Sequence, residues 1–304
     1  MMGFRMGIAG AGMVGSHVAI RALRHGIDVR IVARDPAATR ERLAAVLGAT
    51  GDTFDTRALR IEASHALFAD VDVIYESIPE HLAMKRALYR ALEDVVGSDV
   101  PIVSGTSSLS PEQLGTEMRA PGRVFVAHFL HPVTTVNLAE VLTPADPDPT
   151  ALATFEGWLR AMNLEAIVLD RAVPGFIVNR LQFALLREAI ALVASGVATA
   201  ADIDRIVSQG LGPRWVATGP LASADLAKLP LFRDVASLIA PTLENGTMVE
   251  HLDRIIAQGH TGANSGEGFH SWQPDDIARA AAARRRSYAF AAELHADGAI
   301  PNDG

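Results

Sequence analysis

Two groups of residues in this chain are of a type and spacing that could do chemistry. The first is the run Gly10-Ala11-Gly12-Met13-Val14-Gly15, which lies between the apolar stretch FRMGIA and the helix-forming stretch SHVAIRALRHG. In that setting the first glycine allows a tight turn, the second lets backbone approach a pyrophosphate, and the third lets a helix pack on a strand. The helix N-terminus then carries the phosphates. Such a run is weak evidence alone, but between an N-terminal strand and a helix, with another strand following, it predicts a dinucleotide site. The second group is Ser107, His128 and Glu140, with Asn179 further on. Imidazole changes charge near neutrality, and a carboxylate can fix its tautomer and stabilise its cation, so His128 and Glu140 suit acid/base work. By type alone, Ser107, His128 and Glu140 also spell a hydrolase triad. No GxSxG elbow surrounds Ser107, however, and a hydrolase would leave the dinucleotide loop unemployed. His131 beside His128 invites a metal reading, but the two face opposite ways on an extended strand and no third ligand stands out, so no metal is expected.

The second apolar strand, VRIVA, ends at Ala33, where an NAD protein commonly places a carboxylate for the ribose 2′-hydroxyl. Arg34 follows at once, and a guanidinium there can pair with a 2′-phosphate. NADP is therefore the expected cofactor. NAD is the alternative, carried by Asp35, whose place before Pro36 and a helical run is equally that of an N-cap.

The elements around these residues indicate how they are positioned. Short apolar runs FRMGIA, DVRIVA, DVIYES, PIVSG, RVFVAH and AIVLD alternate with amphipathic helices up to about residue 170, the pattern of a parallel sheet with crossover helices. Ser107 and His128 fall at strand ends, where such sheets bind ligands, and Glu140 opens the segment EVLT after a loop. From Phe176 to Tyr288 the periodicity is helical, broken by glycine and proline. The fold class is α/β: a Rossmann dinucleotide-binding domain over 1–173, followed by an all-helical domain over 174–304. A last amphipathic helix is expected from Pro274 to about His295. The chain has 304 residues, 49% of them hydrophobic, which is ample for a large core. It contains no cysteine, so redox chemistry must be borrowed from a cofactor, and a reducing cytoplasm is the expected location. A net charge of -8 without a long basic run offers no surface for nucleic acid or an anionic membrane.

Four further motifs carry a resemblance. Glu80-His-Leu-Ala-Met-Lys85, Gly105-Thr-Ser-Ser-Leu109, His128-Phe-Leu-His-Pro132 leading to Glu140, and Pro174-Gly-Phe-Ile-Val-Asn-Arg180 together resemble the L-3-hydroxyacyl-CoA dehydrogenases and their relatives. Those relatives include carnitine dehydrogenase, gulonate 3-dehydrogenase and lambda-crystallin, and the late segments GLGPRW, GPLASADL and GEGFHSW look like the gulonate branch. The resemblance implies that His128 is the general acid/base and that Glu140 orients it. It also implies that Ser107 and Asn179 hold the substrate oxygen, and that Glu80 and Lys85 line the cofactor and substrate cleft. A homodimer through the helical domain is implied as well, with Leu181, Phe183, Leu185 and Leu186 as candidates for core or interface. Two departures bear on the substrate. His131 stands where the fatty-acid enzymes carry asparagine, and only about 45 residues separate Ala33 from Glu80, too few for the lysine-rich helical pair that grips CoA. The expected reaction is NAD(P)H-dependent interconversion of a β-keto and an L-β-hydroxy group on a small non-CoA acid, similar to that of polyketide-tailoring ketoreductases. Alternatives are the same chemistry on a CoA thioester, and a non-catalytic dinucleotide-binding protein of crystallin type.

Overall fold

The computed structural model describes residues 3–50, 55–226, 229–243, 253–254, 257–261, 263–268 and 271–296. They divide into two compact units, Met1–Arg180 and Leu181–Gly304, so residues 174–180 pack with the first.

The first unit runs β1 (Arg5–Ala9), α1 (Met13–Arg24), β2 (Asp28–Val32), α2 (Pro36–Thr50), β3 (Leu59–Glu62), β4 (Val73–Glu76) and α3 (Leu82–Leu92). It continues with β5 (Ile102–Ser104), α4 (Pro111–Gly115), β6 (Val124–Phe129), β7 (Leu138–Leu142), α5 (Pro149–Ala161), β8 (Glu165–Val168) and the start of α6 (Val178–Ala194). One sheet holds all eight strands in the order β3-β2-β1-β4-β5-β6-β7-β8. Neighbours are parallel except β6 and β7. The order reverses between β1 and β4, and a crevice at the carboxyl ends of these two strands is where such sheets bind dinucleotides.

The six apolar runs expected as strands all form strands, because helices cover both sheet faces and near-continuous hydrophobic sequence is what that burial requires. Two further strands, β3 and β7, were not among them. The first, LRIE, is an edge strand that alternates buried and exposed, too short and too charged to stand out. The second extends the expected EVLT segment backwards, so Glu140 sits in mid-strand instead of opening it. Similarly, β5 stops at Ser104, which leaves Ser107 in the following loop and not at a strand end.

Period-two alternation along β6 divides its side chains between two core layers. Phe125, Ala127 and Phe129 pack with α1 and α5, and the Phe125 and Phe155 rings stack at 4.5 Å. Val124 and Val126 face the other layer with Tyr89, Leu114 and Phe176. The same alternation turns His128 toward Phe176, whose ring meets the imidazole edge-on at 5.7 Å.

The second unit contains the rest of α6, α7 (Ala200–Arg205), α8 (Gly212–Leu226, kinked at Gly219), α9 (Leu229–Ile239) and α10 (Pro274–Ala296), the expected C-terminal helix. Phe269 and His270 of the GEGFHSW segment lie outside the described residues. No helix among the described residues is long and apolar enough to cross a membrane.

Candidate active site

The glycine run leaves β1 at the switch point and opens α1. Gly10 has φ +92°, and a Cβ there would lie 2.7 Å from the Ser77 carbonyl oxygen; a Cβ on Gly15 would lie 2.2 Å from that of Gly10. Around Gly12 the same atom would meet nothing within 4 Å, so this glycine leaves open space for a ligand. No side chain caps α1 and its first turn holds no acid, so its leading N–H groups and the positive end of its dipole face that space. Met13 is exposed and Val14 half-buried at its edge. These features fit a dinucleotide pyrophosphate. Gly15→Ala is expected to weaken cofactor binding at least about tenfold, through a backbone clash that only a shift of the loop relieves, and a fluorescence titration checks it.

At the end of β2, Ala33 is half-buried and Arg34 exposed. Asp35 caps α2, its Oδ1 accepting from the Ala38 N–H at 3.0 Å. Ala33 thus stands at the position just after β2 where a ribose carboxylate would fall, and Asp35 is engaged with a helix terminus. Sequence reasoning missed Arg42, which reaches from α2 to donate to the Ala11 carbonyl at 2.6 Å and brings a guanidinium to the glycine loop.

His128 and Glu140 are directly opposite in the antiparallel β6–β7 pair, with Nδ1 2.7 Å from Oε2. Glu140 is almost fully buried, and its other oxygen accepts the backbone N–H groups of Ile177 (2.7 Å) and Val178 (2.9 Å). A carboxylate that already accepts two amides is an acceptor toward imidazole as well, so Nδ1 carries the proton and Nε2 is the nitrogen left for chemistry. The turn that supplies those amides is strained: Gly175 has φ +80° and the buried Phe176 φ +44°. Such conformations persist where surrounding contacts over-determine them. Here Gly175 N–H donates to the Ser107 carbonyl at 2.9 Å, while Phe176 packs on the imidazole. Ser107, His128, Glu140 and the turn leading to Asn179 are thus joined by a continuous series of contacts. The Ser107 hydroxyl and the Asn179 amide make no hydrogen bond among the described residues. Ser110, not Ser107, caps α4, in a capping box with Gln113.

The next loop is held by a second network. Glu80 accepts from the hydroxyls of Thr106 and of Ser108 (2.8 Å), the two neighbours of Ser107, and lies 3.3 Å from the Lys85 ammonium. Burial pushes the Glu80 carboxyl up, but those two hydroxyls and Lys85 outweigh it and hold it below the usual carboxylate range. Lys85 itself is 1% exposed and makes a 2.7 Å ion pair with the fully buried Glu76. Glu76, which sequence reasoning also missed, accepts in addition from the Ile78 N–H and from the Tyr89 and Ser104 hydroxyls at 2.8–2.9 Å. His131 lies 6.0 Å, ring to ring, from His17 of α1; burial lowers its pKa first, then the neighbouring His17 and His128.

Residues 5–172 match the family model described as 3-hydroxyacyl-CoA dehydrogenase, NAD binding domain, and residues 175–272 match that of the C-terminal domain. The chain belongs to the 3-hydroxyacyl-CoA dehydrogenase family. It is an oxidoreductase of that family with an NAD-binding domain, and it has the Rossmann and helical parts the sequence led us to expect. Among its relatives, the 5-formyl-3-hydroxy-2-methylpyridine 4-carboxylate 5-dehydrogenase of Mesorhizobium japonicum is 30% identical over 92% of this chain and 94% of its own length. An L-carnitine dehydrogenase of Bacillus cereus is 32% identical over 72% of this chain and 70% of its own. A crystal structure of the former activity, described as an NAD+ dependent dismutase, superposes with a TM-score of 0.81 at 28% identity, covering 97% of this chain and 99% of that one.

Proposed function

We propose that the chain reduces a β-keto group to an L-β-hydroxy group on a small acid that is not a CoA thioester, and catalyses the reverse oxidation. The observation that carries this reading is the pairing of His128 with the buried Glu140, which leaves Nε2 for a substrate oxygen. The nicotinamide, when bound, supplies or accepts the hydride at the reacting carbon. In reduction, Nε2 of protonated His128 gives its proton to the developing alkoxide, and Glu140 stabilises the imidazolium beforehand. In oxidation, Nε2 takes the hydroxyl proton. Ser107 and Asn179 hold the substrate oxygen, and Glu80 keeps the Ser107 loop in place through Thr106 and Ser108. Gly10, Gly12, Met13, Val14 and Gly15 hold the pyrophosphate.

For the cofactor we favour NADP within the NAD-binding family. The absence of a ribose carboxylate at Ala33, the exposed Arg34 and the diversion of Asp35 to a cap support it. Parallel titrations should give NADPH binding about tenfold or more tighter than NADH, the gain from charge-assisted hydrogen bonds of about 1.5–3 kcal/mol to a 2′-phosphate. Arg34→Asp should reverse the order. Tighter NADH binding by the wild type would overturn the preference and leave the hydride chemistry intact.

The non-CoA substrate is supported by the short Ala33–Glu80 interval and by relatives whose names carry no CoA. Turnover of acetoacetate and L-carnitine should be compared with that of acetoacetyl-CoA; activity on the thioester alone would defeat this part. We further place the enzyme in the cytoplasm as a homodimer. Leu181, Phe183 and Leu185, all exposed on α6, support the pairing, while Leu186 is half-buried.

A further inference from the structure

One face of α1 carries His17, Arg21 and Arg24, at the spacing that stacks side chains along a helix. All three meet the loop that joins β6 to β7. His17 faces His131, and Arg24 Nη1 donates to the Thr134 carbonyl at 2.6 Å. Arg21 between them is 1% exposed. Its Nη1 donates to the carbonyls of Val133 (2.8 Å) and Val136 (2.9 Å), and its Nη2 to Asn137 Oδ1 and the Asn163 carbonyl, both at 2.7 Å. Its Nε donates to the Met162 carbonyl at 2.9 Å. A guanidinium has five N–H donors, and here each has an acceptor.

None of those acceptors is a carboxylate. Burial lowers the Arg21 pKa to about 10, with Arg24 adding to the effect, so the group remains a cation at neutral pH. A buried cation without a counter-ion is costly unless its hydrogen bonds are complete. The acceptors come from two places: the carbonyls at the end of α5, the negative end of that helix, and the β6–β7 loop. The arginine thus joins the helix that opens from the glycine run to the loop that follows His128. That loop is anchored close to the reacting pair: Leu130 N–H meets the Leu138 carbonyl at 3.5 Å, two residues from His128 on one strand and from Glu140 on the other.

We infer that Arg21 is a positioning residue for the His128–Glu140 pair. It acts through the loop, holding the hairpin in register against the cofactor helix. The inference rests on the reading of His128 as the acid/base. It matters because a displacement of about 1 Å from productive geometry can cost on the order of a hundredfold in rate.

The test uses the full chain with 15N-labelled histidine and measures, at neutral pH, the rate at which the His128 Nδ1 proton exchanges with water, its signal assigned by its absence in His128→Gln. In Arg21→Gln this rate is expected to rise at least about tenfold, since the imidazole no longer sits squarely on Glu140. Asn137→Ala, which removes one exposed acceptor of the same guanidinium, should give a smaller rise, and Arg21→Lys should restore part of the protection. A role in stability alone would lower the unfolding midpoint and leave the exchange rate of the folded protein unchanged. Exchange within about twofold of wild type in folded Arg21→Gln overturns the inference; if that variant does not fold, the same result in Asn137→Ala overturns it. Turnover surviving in His128→Gln would instead remove the acid/base reading, a result read independently of any exchange rate.

Discussion

His128→Gln is expected to lower kcat by about a thousandfold, within the range that a positioned acid/base contributes, while leaving NADPH affinity within about twofold of wild type. Glutamine keeps a polar group of similar reach but has no proton to exchange near neutrality. The imidazole is built into the β6–β7 hairpin, whereas the glycine run that holds the pyrophosphate is on β1 and α1, which is why binding and turnover should separate. Glu140→Gln is expected to fall less far in rate. Its oxygen can still accept from the Ile177 and Val178 amides, but its NH2 group then faces Nδ1, so it neither accepts from the imidazole nor offers a charge to the imidazolium. Steady-state kinetics beside a fluorescence titration checks both. An equal loss of turnover and of cofactor binding in His128→Gln would mean that His128 supports the fold of the site and not its chemistry.

The second large effect is on stability. Lys85→Met is expected to destabilise the first unit by about 3–5 kcal/mol, the usual cost of removing one partner from a buried ion pair. Glu76 would then keep its charge in a fully buried position with only the Ile78 amide and the Tyr89 and Ser104 hydroxyls to satisfy it. The pair Lys85→Met with Glu76→Gln should recover a large part of the loss, because the uncompensated charge is what costs most. Urea unfolding followed by the fluorescence of Trp158, which is buried in the same unit, reads both variants. If the double variant is no more stable than the single one, the loss comes from Lys85 packing and not from its charge.

Much of the site was legible from residue order. The glycine run is local: turn, phosphate approach and helix start all fall within six residues, so periodicity and spacing identify it. Asp35 could be read as a cap for the same reason, and the structure shows it bonded three residues on. The strands that are buried on both faces announce themselves by continuous apolar sequence, and the edge strand β3 does not. Ser107, His128, Glu140 and Asn179 could be listed as types, but their relation could not be derived from spacing. His128 and Glu140 are twelve residues apart and meet only because β7 turns back antiparallel.

What the sequence by itself determined is therefore the α/β class, the dinucleotide loop, the candidate acid/base and the absence of a ribose carboxylate at the end of β2. Each depends on neighbours in the chain or on composition. The tertiary structure alone decided which partners the long charged side chains have. Lys85, expected in the cleft, turns inward to Glu76; Arg42 reaches the glycine loop from the next helix; and Arg21 finds acceptors more than a hundred residues away. A long cationic side chain has nothing in its own sequence that says where it will point. Its position follows from which carbonyls and carboxylates the folded backbone leaves unsatisfied within its reach, and those exist only once distant segments have packed together.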